Sequence, residues 1–255
     1  MDTNKFVNRH VGIAEEEIPS MLQTIGVQSL DELIDRTIPS DIRLNKTLNL
    51  PEPMTEREFA EHIAELASKN QVFTSYIGMG WYDTVCPAPI QRNVLENPVW
   101  YTSYTPYQAE VSQGRLEALL NFQTVICELT GLPLTNCSLL DEATAAAEAA
   151  TMLYGTRSRT QIKAAANTLF VDKYLFESSL AVIHTRMAPQ GIKVVTGDYK
   201  TFHFTEDVFA AIVQYPNANG SVEDYTEFVK QANEHGTRVA VAADLMSLVM
   251  LTPPG

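Results

Sequence analysis

The chain of 255 residues is 45% hydrophobic and 19% charged, which excludes global disorder and allows a sizeable core in one α/β domain or one domain with a helical appendage. Its 31 acidic and 18 basic residues give a formal net charge of −13; this argues against nucleic acid and anionic membranes as general partners, or it serves solubility alone. The amino-terminal residues carry no apolar targeting core, and no stretch approaches the roughly 20 apolar residues of a membrane helix.

Cys86, Cys127 and Cys137 are scattered, which suits a reducing compartment and leads to the expectation of a cytoplasmic protein. Residues 1–70 read as a helical arm. Ser29-Leu30-Asp31-Glu32 and Thr55-Glu56-Arg57-Glu58 fit capping boxes, in which the third-position Glu reaches back to the cap amide. Gly26 closes an earlier helix, and Phe59, Ile63 and Leu66 recur at helical spacing after the second box. Asn49-Leu50-Pro51-Glu52-Pro53 is an extended, proline-stiffened link.

Residues 71–137 form the second region: an aromatic, Gly- and Pro-rich loop with one short helix near Ile90–Leu95, then a long helix over 108–130. Leu116, Leu119, Leu120, Ile126 and Leu129 supply that helix's apolar face, and Gly131 with Pro133 ends it. Residues 138–255 alternate. A helix at Asp141–Tyr154 precedes a strand at Thr168–Val171, and a helix at Glu177–Met187 leads to a strand at Ile192–Thr196. A strand at Ala210–Gln214, a helix at Val222–His235 and an apolar strand at Val239–Ala243 follow. This rhythm predicts a mostly parallel α/β sheet. The chain stops soon after its last buried strand, before the next layer of such a sheet, and is read as a fragment.

Trp100 to Tyr107 gather four aromatic rings, three aliphatic hydroxyls and a proline just before the long helix. Such rings line a substrate pocket, a cofactor site or a partner surface; Tyr104, Thr105, Tyr107 and Gln108 are the candidates. The bland alternative is a cluster that only buries an interface. The helix start Asp141-Glu142-Ala143-Thr144 reads either as a capped, tightly packed helix or as an anion site, although its two carboxylates oppose an anion. Asp244 follows the last strand, either meeting a ligand at the carboxyl end of the sheet or serving a turn. No His spacing suggests a metal site, Cys86 has no base paired with it, and Ile77-Gly78-Met79-Gly80 lacks the context of a phosphate loop.

Six stretches then occur together in order: Asn8-Arg9-His10-Val11-Gly12, Tyr76-Ile77-Gly78-Met79-Gly80-Trp81, Leu95-Glu96-Asn97-Pro98, the Trp100–Gln108 run, Ser112-Gln113-Gly114-Arg115-Leu116-Glu117 and Ser138-Leu139-Leu140-Asp141-Glu142. From about residue 6 to the end, the chain resembles the amino-terminal part of the P-protein family of the glycine cleavage system, glycine dehydrogenase (decarboxylating). Val99 departs from the small residue that many relatives carry before the Trp-Tyr-Thr run, and the chain halts short of one complete half.

The resemblance implies a type I pyridoxal-phosphate-dependent transferase-like large domain, incomplete here and preceded by the helical arm. It also implies a decarboxylase that passes an aminomethyl group to the lipoyl arm of H-protein. In that family the cofactor lysine belongs to the carboxyl-terminal half, a partner of this region. Here no lysine follows Asp244, so pyridoxal phosphate is expected to be bound through the other half. Asp244 and Thr144 are then degenerate equivalents of ring- and phosphate-binding positions, and no catalytic residue or metal ligand is assigned to this chain. The alternative is a non-enzymatic scaffold or interaction module.

Overall fold

The computed structural model describes residues 5–10, 12–44, 46–102 and 105–255. Close contacts divide the chain into two units, Met1–Thr74 and Ser75–Gly255.

The first unit carries helices α1 (Val7–His10), α2 (Ile18–Ile25), α3 (Leu30–Thr37) and α4 (Glu56–Ser68). Gly26 adopts the left-handed conformation that ends α2, its N–H returning 2.9 Å to the Leu22 carbonyl. The box at α4 is complete: Thr55 Oγ1 accepts from the Glu58 N–H and the Glu58 carboxylate accepts from the Thr55 N–H. At α3 only half of it forms, because Glu32 accepts from the N–H of Gln28 instead of Ser29. Phe59, Ile63 and Leu66 of α4 are all exposed.

In the second unit, α5 (Ala88–Ile90) runs into a π-helical turn at Gln91–Leu95. Helix α6 (Ala109–Thr130) is kinked at the buried Ser112 and closed by a left-handed Gly131. Leu116, Leu119, Ile126 and Leu129 are half-buried, whereas Leu120 is 63% exposed and does not belong to the packed face. Then follow α7 (Glu142–Gly155), α8 (Arg159–Lys163), β1 (Thr168–Asp172), α9 (Glu177–Met187), β2 (Lys193–Gly197), β3 (Val208–Tyr215), α10 (Thr226–Glu234) and β4 (Arg238–Ala243). Two boundaries differ from expectation for local reasons. Asp224 accepts from the Thr226 N–H at 2.9 Å, so α10 starts four residues later than Val222. The short α8, which apolar periodicity does not reveal, is started by a Ser158–Gln161 capping box.

The four strands are parallel in the order β2-β1-β3-β4, with Val171 beside Ile212 and Ile212 beside Ala240. Every residue of β1 and all but the last of β3 are buried, as their continuous apolar runs require when helices cover both faces. On one face Leu169, Val171, Ala210 and Ile212 pack with Ala147, Ala150, Ile183 and Met187 of α7 and α9. On the other, Phe170, Ala211 and Val213 pack with Phe228 and Ala232 of α10 and with Tyr199, Phe204 and Tyr225. The fold is therefore α/β with a parallel sheet, and burial of a side chain such as Phe170 contributes about 1.5–3 kcal/mol.

Asp172 ends β1 fully buried. One of its carboxylate oxygens accepts from the Tyr199 N–H at 3.3 Å, and the other has no partner among the described residues. Burial, with the nearby Asp198 carboxylate, pushes its pKa above the usual carboxylate value. Such a group binds its proton more tightly in the fold, so stability present at low pH is lost as pH rises from the unfolded carboxylate value of about 3.9 through the raised one. Asp172→Asn removes that loss. In urea unfolding between about pH 4 and pH 7, the variant's midpoint should climb relative to the parent's as pH increases; a pH-independent difference contradicts this reading.

Candidate functional site

The sheet reverses its winding across β1: the chain steps to β2 on one side and then crosses to β3 on the other. Ligands of open α/β sheets bind outside the carboxyl ends of strands at such a reversal. There the structure has a cavity of about 760 Å³, bounded by the first turns of α7, the start of α9 and the ends of β3 and β4. Small side chains make the space. Ala145, Ala146 and Ala149 form the helical wall, with Ala240 and Ala242 opposite them on β4.

Polar groups collect at one end. Gln214 is only 4% exposed and projects from β3 to the same face as Ile212, another lining residue. Its Oε1 accepts from the Phe176 N–H at 2.9 Å, which fixes the amide orientation and leaves Nε2 without a partner among the described residues. The Gln214 carbonyl accepts from the Tyr225 hydroxyl at 2.9 Å and holds the strand end in place. Asn217 follows the cis Tyr215–Pro216 bond. Its Oδ1 accepts from the N–H groups of Asn219 and Ser221. Gly80 brings the loop with Tyr82 against Phe176; a Cβ there would lie 2.9 Å from the Phe176 ring.

Asp244 lines this cavity and is exposed to it. Both readings of the residue hold at once, since its Oδ1 also accepts from the Met246 N–H at 3.1 Å and shapes the turn after β4. Asp141 caps α7: its carboxylate accepts from the Thr144 N–H at 2.7 Å, and that bond holds its pKa below the usual carboxylate value. Thr144 itself is half-buried and does not reach the cavity, whereas Glu142 does.

The donor set does not fit pyridoxal phosphate. No lysine or arginine lines the cavity among the described residues, Asp141 already occupies the Thr144 amide, and Glu142 adds a second negative charge at the helix start. A phosphate would meet the Asp141 and Glu142 carboxylates with no side-chain cation among the described lining residues to offset them.

The aromatic run is elsewhere. Tyr104 lies outside the described residues; Thr105, Tyr107 and Gln108 are exposed at the start of α6, with Tyr107 88% accessible. None of these three lines the cavity. Trp100 and Thr102 instead border a smaller hollow of about 390 Å³ with Arg115, whose guanidinium donates to the Trp100 carbonyl at 3.1 Å. Gln214, Asn217, Phe176 and Tyr82 were not singled out by their sequence. The one local signal was a polar Gln inside the apolar run Val208–Tyr215.

A family model described as Glycine cleavage system P-protein matches residues 8–255. Proteins named glycine dehydrogenase (decarboxylating) are similar over the whole chain, 64% identical in Bacteroides fragilis and 62% in Bacteroides thetaiotaomicron. Another from a Nostoc species is 52% identical over 254 residues. The chain spans 27% of the length of the two Bacteroides relatives and 25% of the Nostoc one. A crystal structure of glycine decarboxylase (P-protein) of the glycine cleavage system, in inhibitor-bound form, superposes with a TM-score of 0.82 at 32% identity, covering 96% of this chain and 55% of that one.

Gln214→Leu takes the acceptor from the N–H of the half-buried Phe176 and at the same time removes the unpaired Nε2. Because those two costs offset in global stability, the readout is local: in native-state hydrogen exchange the Phe176 amide should lose protection by about threefold to tenfold, and unchanged protection would refute the assigned role.

Proposed function

Because the chain belongs to the glycine cleavage system P-protein family, we propose that it forms the amino-terminal part of a glycine dehydrogenase (decarboxylating). The whole enzyme decarboxylates glycine and passes the aminomethyl group to the lipoyl arm of H-protein in the cytoplasm. Pyridoxal phosphate, the electron sink for that decarboxylation, is held by the carboxyl-terminal half.

One observation carries the division of labour: the strand-end cavity keeps an aspartate, Asp244, but offers no amine to a carbonyl and no cation to a phosphate among the described residues. The contribution of this region is then shape. Tyr76, Trp81, Tyr82 and Tyr107 are large rings left exposed in the second unit. Amphipathic rings of this kind anchor interfaces and exclude water from neighbouring sites. We assign Tyr104, Thr105, Tyr107 and Gln108 to the wall of the glycine site or to the contact between halves.

Borohydride reduction of the full-length enzyme loaded with pyridoxal phosphate, followed by peptide mapping, tests this. The reduced adduct should fall on a lysine outside residues 1–255; an adduct on any lysine of this chain overturns the proposal.

A further inference from the structure

The strand-end cavity carries more chemistry than packing a helix on a sheet requires. Its charged lining residues are Glu142 and Asp244, with no lysine, arginine or histidine among the described residues that border it. Neither carboxylate is consumed by an ion pair among those residues, and Asp244 uses one oxygen for the Met246 turn. Two rings, Tyr82 and Phe176, flank the same space. The third element is the Gln214 amide. Its Nε2 is buried, held in orientation by the Phe176 N–H and without an acceptor among the described residues. A buried donor left unsatisfied costs about 1–3 kcal/mol, so a group with a lone pair is favoured opposite it.

We propose that this cavity binds a small organic cation that carries one hydrogen-bond acceptor. The ammonium sits with the Glu142 and Asp244 carboxylates and the faces of Tyr82 and Phe176, where both the charges and the ring quadrupoles attract it. The acceptor receives a hydrogen bond from the Gln214 Nε2 amide, whose two N–H groups have no partner among the described residues. Anions are rejected by the two carboxylates, and neutral ligands forgo the main attraction. About 760 Å³ is ample for such a molecule.

Choline and tetramethylammonium separate the two halves of the claim, because they share the quaternary ammonium and only choline has a hydroxyl. In calorimetric titration of the full-length protein, choline should bind saturably. Tetramethylammonium should bind about threefold to tenfold more weakly, the worth of one neutral hydrogen bond. Glu142→Gln and Asp244→Asn should each weaken both probes by about twofold to fivefold. Both variants keep the fold's own bonds. Asp141 rather than Glu142 caps the Thr144 amide, and the carboxamide of Asp244→Asn retains an oxygen for the Met246 N–H. Four outcomes each overturn the proposal: no saturable choline binding, as when another part of the protein fills the cavity; equal affinity for the two probes; affinities unmoved by either variant; and acetate binding as tightly as choline.

Discussion

The distance at which α7 can lie on the sheet governs the rest of the second unit. Ala147 and Ala150 are fully buried in one core cluster with Leu169, Ala210 and Ile212, and their small side chains let the helix lie close to the sheet. Dispersion gains from such contact are small per atom but sum over the whole face. Interleaved with Ala147 and Ala150, Ala145, Ala146 and Ala149 line the cavity together with Ala240 and Ala242 of β4. Close packing and the cavity wall thus come from interleaved alanines on one helix, a single choice of residue.

Around that cavity the electrostatics differ from those of a phosphate site. An α7 start free of side-chain caps would present amides and a positive dipole end to an anion. Here Asp141 takes the Thr144 amide and Glu142 faces the space, so the local field is negative. The Gln214 carboxamide, tied to Phe176 on one side and open on the other, supplies a donor deep in the wall.

Much of the architecture was legible before folding is considered. Strand and helix alternation from Glu142 to Ala243 follows from apolar runs of strand length separated by helical segments, and α9 falls on its expected residues. What went astray was local competition. Asp224 captured the α10 start, and Glu32 bonded to Gln28 rather than Ser29. Leu120 lies off the packed face of α6 although Leu116 and Leu119 beside it are half-buried. The first two are each decided by a single side-chain hydrogen bond, which periodicity does not register.

The candidate site was much less legible. Sequence alone placed Asp244 just after the last strand and offered Asp141 as a helix cap, because capping preference and strand periodicity are properties of the chain itself. Only the tertiary structure decided that Glu142 rather than Thr144 reaches the cavity, that Gln214 ends with a buried unpaired donor, and that Thr105 and Tyr107 stay on the surface. The physical reason is that these outcomes depend on which strand lies beside which, and on the face each side chain takes once a parallel crossover has brought segments around residues 82, 142, 176, 214 and 244 together.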